Sequence, residues 1–243
     1  MKISYVSGNF FFTELLIERF FEGDMVLTEE QMSSILYSDK RNGRVSEAYR
    51  WPGHIVYYEI ASTFDDYHVK QIHRALKMIE MHTCVRFHPK TETTHDYIHV
   101  QHDPSGCHSN IGRIKGKQIV NLEKYPVGIG CFKLGTIMHE FIHGLGFFHQ
   151  QSASDRDDYV TIAKENIVDG MSHNFIKYPP SLVTEFGVKY DYGSIMHYSA
   201  YAFSKNGLKT IIPHEKTAQI GQRVKMSDSD ILKINRMYKC PGF

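Results

Sequence analysis

The run His139-Glu140-Phe141-Ile142-His143, followed by Gly146 and His149, constrains this chain more than any other stretch of it. On a helix, positions four apart lie on one face, so the imidazoles of His139 and His143 point at a single centre. Glu140 stands one step round the helix, near enough to serve that centre without being a ligand. Gly146 can take a positive φ, which ends the helix and turns the chain so that His149 returns to the same point. With 15 histidines in the chain, the five-residue pattern arises by chance roughly one time in twenty, and the extended pattern roughly two times in ten thousand. Core histidines on a buried helix would also leave several polar rings without partners. Three neutral imidazoles with one coordination position left open are the ligand set of a catalytic rather than a structural zinc site, so one Zn2+ per chain is expected. Water held there has a pKa near about 7, and Glu140 is placed to take its proton as general base.

A length of 243 residues suffices for one catalytic domain and a short accessory segment. The hydrophobic fraction of 42% and charged fraction of 23% are those of a soluble globular protein. Basic residues number 28 and acidic ones 27, with no long run of one sign, which excludes a nucleic-acid partner. No stretch is long and apolar enough to span a bilayer, so no membrane partner is expected. The cysteines are Cys84, Cys107, Cys131 and Cys240, without C-x-x-C spacing. Two disulfides in an oxidising compartment are the natural reading, with three pairings open, against four buried thiols in a cytosolic protein. The N-terminal stretch to Leu27 carries charges between short apolar runs and shows no uninterrupted leader core.

Along the chain, Thr13 to Phe21 suits a short helix, broken at Glu22-Gly23-Asp24. Thr28-Glu29-Glu30-Gln31 reads as a capped helix start running to about Tyr37. Ser38 to Arg44 is polar, basic and glycine-containing, the composition of an exposed, protease-sensitive linker, and a boundary belongs there. His54–Ile60, Tyr97–Val100 and Gln118–Leu122 read as strands. Val69, Ile72, Leu76 and Ile79 give one face of a helix between Asp65 and Met81. Gly130 to Leu145 reads as one buried helix, and a final helix runs from about Ser227 to Tyr238 after a loop-rich stretch.

The extended histidine pattern is that of the metzincins, and its surroundings resemble the astacin family of zinc metalloproteases. Ser105-Gly106-Cys107-His108-Ser109-Asn110-Ile111-Gly112-Arg113, Gly130-Cys131, Asp155-Arg156-Asp157-Asp158-Tyr159-Val160 and Ser194-Ile195-Met196-His197-Tyr198 are all similar to astacin segments, over nearly all of residues 42 to 243. The resemblance implies an α+β metzincin (zincin-like) fold of two subdomains around a horizontal cleft. A twisted, mostly parallel five-stranded sheet and the active-site helix would lie in the N-terminal half, with an irregular C-terminal half. It implies a secreted monomer acting on protein and peptide substrates. Met196 would be the Met-turn floor beneath the imidazoles, Tyr198 a switch tyrosine that ligates zinc at rest and swings to the reacting carbonyl, and the disulfides Cys84–Cys240 and Cys107–Cys131.

Phe21-Glu22-Gly23-Asp24 resembles the F-x-G-D of astacin propeptides, whose aspartate silences the zymogen by binding the zinc. Residues 1–41 are then a propeptide that partners its own catalytic domain, 42–243, with activation by cleavage near Arg41–Asn42 and no accessory C-terminal modules. Two positions depart from the family. The residue after the third histidine is usually a glutamate that meets the new N-terminus, and here it is Gln150; an arginine often stands where Ala153 is. Two other readings are a catalytically silent module that keeps the fold, and a different metal hydrolase such as a deacetylase. The intact Glu140 and histidines oppose the first, and the Met-turn and propeptide match opposes the second.

Overall fold

The protein, seen in a computed structural model, is described for residues 20–36, 47–180 and 182–243. The expected linker at 38–44 and its cleavage point lie outside the described residues, as does nearly all of the short helix expected from Thr13. That helix's last residue, Phe21, instead forms a bridge with Met25.

Six strands build the main sheet: β1 (Met25–Val26), β2 (Ile55–Ile60), β3 (Arg86–Pro89), β4 (Tyr97–Gln101), β5 (Cys107–Asn110) and β6 (Lys117–Leu122). Their order is β1-β5-β6-β4-β2-β3. All neighbours run parallel except β5 against β6. Five strands thus come from the expected catalytic region, and the sixth is added along β5 by the segment before the boundary. Sequence reading found β2, β4 and β6, whose alternating burial marks them. It missed the two-residue β1, and also β3 and β5, whose polar residues carry no period-2 apolar signal.

Among the described residues, four α-helices follow from local chemistry. In α1 (Glu29–Leu36), Thr28 and Gln31 form the expected capping box: the Gln31 amide N–H donates to Thr28 Oγ1 at 3.2 Å, and the Thr28 N–H to Gln31 Oε1 at 2.9 Å. The helix α2 (Asp66–His82) is capped by Asp65 and buries Ile72, Ala75, Leu76 and Ile79 against the sheet and the next helix. That helix, α3 (Leu134–Leu145), is shorter than expected. Lys133 is extended, with ψ 136, and separates α3 from a single 3-10 turn at Gly130–Phe132 that the Cys131 disulfide anchors. From Ile137 onward every side chain of α3 is buried, so the helix threads the core. The last, α4 (Asp228–Met237), opens with a capping box between Ser227 and Asp230.

After α3 the described chain is largely loops and 3-10 turns, with one antiparallel pair, β7 (Val160–Ile162) and β8 (Ile211–Pro213), before α4. Both disulfides form as the resemblance implied. Cys84–Cys240 ties the end of α2 to the end of the chain, and Cys107–Cys131 braces β5 against the approach to α3. A second apolar cluster joins Phe21, Met25 and Ile35 to Ile111, Tyr178, Leu182 and Val183, so the segment before the boundary packs into the body.

Candidate metal centre

The burial of α3 decides how the site is presented. His139, Glu140 and His143 are at most 1% exposed. Their polar atoms must therefore meet partners within the fold. At Gly146 the backbone turns left-handed, with φ 111, and the Gly146 N–H returns to His143 O at 2.8 Å. A side chain there would be strained. Three residues on, His149 faces the other two rings. Its ring centroid lies 5.3 Å from that of His139 and 4.8 Å from that of His143.

Each ring has its Nδ1 engaged. His139 Nδ1 meets Ile195 O at 2.9 Å, His143 Nδ1 meets Phe147 O at 2.7 Å, and His149 Nδ1 meets Glu22 Oε2 at 2.7 Å. Carbonyl and carboxylate oxygens accept, so the protons sit on Nδ1 and the three Nε2 atoms face inward as donors to a cation. His139 Nε2 and His143 Nε2 are 3.1 Å apart. Two lone pairs facing each other at that distance repel unless a cation lies between them. Asp24 closes the group: Oδ2 is 3.2 Å from Nε2 of both His139 and His149, and all four ligand atoms lie within 4.8 Å of one another. Asp24 Oδ1 and Glu140 Oε2 are buried without hydrogen-bond partners. Nitrogen donors, a carboxylate and two orphaned acceptors fit a zinc ion and its water.

The electrostatics agree. Burial pushes the His139 and His143 imidazoliums down in pKa, keeping those rings neutral as ligands must be. Burial also opposes charge on His149, but Asp24 and Glu22 outweigh it and lift that ring to about 9. Burial would raise Asp24, yet the His149 charge and the close approach of the three imidazoles hold it well below the carboxylate range. The centre thus favours positive charge, as a proton or as a metal cation. Burial and the Asp24 charge push Glu140 well above its ordinary value.

The segment carrying Asp24 is clamped from several sides. The Glu22 carboxylate is 1% exposed. It takes hydrogen bonds from Ser152 Oγ at 2.8 Å and Tyr178 Oη at 2.6 Å besides His149. Gly23 has φ +79, and a Cβ there would lie 2.8 Å from the Phe203 ring, so a side chain between Glu22 and Asp24 would be strained. Tyr198 stacks obliquely on His149 at 4.6 Å, and its phenol donates to the carbonyl of Glu22. Met196 is buried, and its carbonyl accepts the Gln150 N–H at 3.0 Å. The adjoining Ile195 carbonyl orients His139.

The residues singled out from sequence for metal binding, catalysis and latency, from Asp24 through Tyr198, thus lie in one cluster or its rim. Sequence reading missed Glu22, Ser152 and Tyr178, and the clasp of Asp230 on Ser194 and Ile195. Those contacts span 35 to 156 positions and leave no local pattern. His197 points away from the imidazoles to Tyr190 Oη at 2.7 Å.

A family model described as Astacin, a peptidase family, matches residues 43–239. The chain is 43% identical over 208 residues to zinc metalloproteinase nas-13 of Caenorhabditis elegans, covering 86% of this chain and 45% of that relative. It is 43% identical over 206 residues to seminal metalloprotease 1 of Drosophila melanogaster, covering 83% of this chain and 82% of that one. Among solved structures, high choriolytic enzyme 1, a hatching enzyme zinc-protease from the medaka Oryzias latipes, superposes with a TM-score of 0.74 at 37% identity. That match covers 80% of this chain and 96% of that structure.

Proposed function

The chain belongs to the astacin family of peptidases, and on that premise we propose that it is a zinc-dependent metalloendopeptidase held here in its latent form. One observation carries the reading: the three histidines and Asp24 bring their ligand atoms within 4.8 Å of one another, and Glu140, next to His139 in the chain, keeps a buried carboxylate oxygen, Oε2, without a partner. His139, His143 and His149 hold one zinc ion per chain. When bound, zinc supplies a Lewis acid that polarises the scissile carbonyl and a water activated for attack at neutral pH. Glu140 accepts that water's proton at Oε2 and passes it to the leaving amine. Tyr198 donates its phenol hydrogen to the oxygen on which negative charge develops. The bond it now makes to Glu22 O supports this role, since a peptide carbonyl already lies within its reach. Met196 forms an apolar, polarisable floor for the imidazoles.

Asp24 is the latency switch. Its carboxylate lies against Nε2 of His139 and His149, where it would compete with water for a metal held by the histidines, and the bonds of Glu22 and the turn at Gly23 keep it there. Residues 1–41 act as a propeptide, and cleavage near Arg41–Asn42 releases the cleft to protein and peptide substrates. The two disulfides support a secreted location. Among the described residues no helix is long and apolar enough to cross a membrane. All the groups named come from one chain, so a monomer suffices.

The test uses the full chain and its processed form on casein. Processed wild type cleaves, stops on removal of zinc by a chelator, and recovers when zinc returns. E140Q binds one equivalent of zinc and cleaves at least about 10³-fold more slowly. In the uncleaved chain, D24A raises basal cleavage by about 10-fold or more, since a carboxylate ligand no longer competes with water. A processed wild type that binds zinc and cleaves no protein would refute the enzyme.

A further inference from the structure

Beside the metal centre lies a small cavity of about 50 Å³, bounded by His149, Gln150, Met196, Glu185, Lys233 and Ile234. Lys233 projects into it from α4 and is 6% exposed. Its Nζ donates to Gln150 Oε1 at 2.6 Å and also to Glu185 Oε2. Gln150 is itself 5% exposed, and its Nε2 is buried with no partner. Gln150 directly follows the third imidazole, and its backbone N–H is fastened to Met196 O.

On the same face of α4, one turn earlier, Asp230 accepts the Ile195 N–H at 2.9 Å and the Ser194 hydroxyl at 2.5 Å. Ile195 O is the acceptor that orients His139. One helix face therefore reaches two of the three ligands: Asp230 through Ile195, and Lys233 through Gln150. Burying an ammonium is costly unless it is paired, and an apolar side chain would fill the same space at lower cost. Retaining a charge there needs a reason beyond packing.

We propose that Lys233 is a positioning residue for the metal centre, its ammonium holding Gln150 and thereby His149 in register. By the sequence resemblance, the residue after His149 would meet a freed N-terminus. In this chain an ammonium from α4 already occupies that side chain. Ordering of the third ligand is then built into the fold, independent of where processing starts the mature chain. The inference rests on the metalloendopeptidase reading only for its activity readout.

The experiment compares processed wild type, K233M and K233M/E185L. Partners of metal ligands typically contribute about 10–100-fold to metal affinity or activity. Both variants should therefore lose zinc to a chelator about 10–100-fold faster and lose kcat by a similar factor, with KM within about twofold. The double variant also removes the Glu185 carboxylate that K233M alone would leave without its ammonium, so its Tm should fall less than that of K233M, separating positioning from stability. A double variant that keeps wild-type Tm, zinc retention and kcat within twofold overturns the proposal. Wild-type forms processed to begin at Asn42, Gly43 or Val45 should share one kcat within twofold, and a tenfold spread among them overturns it as well. An inactive wild type would sink the protease reading, while zinc retention would still judge Lys233.

Discussion

At the scale of single residues, Tyr198 touches both the third histidine and the segment that carries Asp24. Its ring packs on His149 at 4.6 Å, and its hydroxyl donates to the Glu22 carbonyl. A donor aimed at developing charge in a water-poor site is worth far more to the transition state than to the ground state. Y198F in the processed enzyme should lower kcat about 10–100-fold with KM within about twofold, as steady-state kinetics on a fluorogenic peptide would show. A change confined to KM would mean that Tyr198 serves only ground-state binding. If residues 1–41 are the propeptide proposed above, the same substitution in the uncleaved chain removes a tether of Glu22 and should ease displacement of that segment, measured as faster onset of activity after partial proteolysis.

At the scale of elements, the segment after the linker matters more than its irregularity suggests. Residues 47–51 have little regular structure, yet Arg113 gathers them. Its Nη1 bonds Asp96 Oδ2 at 2.6 Å, its Nη2 reaches Ala48 O at 3.1 Å, and its Nε reaches Arg50 O at 3.3 Å. Trp51 Nε1 then donates to Gly144 O at 2.8 Å, on α3 between His143 and the turn. Residues 48 to 51 are thus fastened both to Asp96, through Arg113, and to α3, through Trp51. Burial opposes charge on Asp96, but hydrogen bonds from His95, the Gly116 N–H and Arg113 prevail and lower its pKa to about 2. A depressed carboxylate contributes stability above its unfolded pKa near 3.8 and loses it as pH falls toward 2. D96N should therefore cost about 1–2 kcal/mol at pH 7, read by denaturant unfolding. The gap to wild type should narrow between pH 5 and pH 3. A gap independent of pH would show that the carboxylate charge plays no part.

At the scale of the whole molecule, one long-range crosslink and the helix α3 hold together halves of very different texture, while Cys107–Cys131 braces the first half alone. The Cys84–Cys240 bridge spans 156 positions and brings α4, with Asp230 and Lys233, back against the helix-rich half. Closing so long a loop removes much unfolded-state entropy, and native bridges of this kind contribute about 2–5 kcal/mol. C84S/C240S should lower stability by that amount and release zinc faster, whereas C107S/C131S, closing a 24-residue separation, should cost less. Equal losses, measured by chemical denaturation under non-reducing conditions, would contradict the loop-length argument.

Much of the molecule was legible before any fold was known. The ligand pair and Glu140 follow from the helical repeat, and the return of His149 from the one residue type that tolerates φ 111 at Gly146. Capping at Thr28 and Ser227 and the faces of β2, β4, β6 and α2 are equally local. The short polar strands were not legible, because their pairing depends on neighbours rather than on their own pattern. The break at Lys133 was hidden for a related reason: the crosslinked turn before it dictates the backbone there. Nor were the Nδ1 acceptors Ile195, Phe147 and Glu22 visible beforehand, or the ammonium of Lys233 on Gln150. Sequence by itself determined the chemistry the metal centre can perform, since that depends on residue types at helical spacing. Only the tertiary structure decided how the centre is oriented and held, since most of those hydrogen bonds join groups 56 to 127 positions apart.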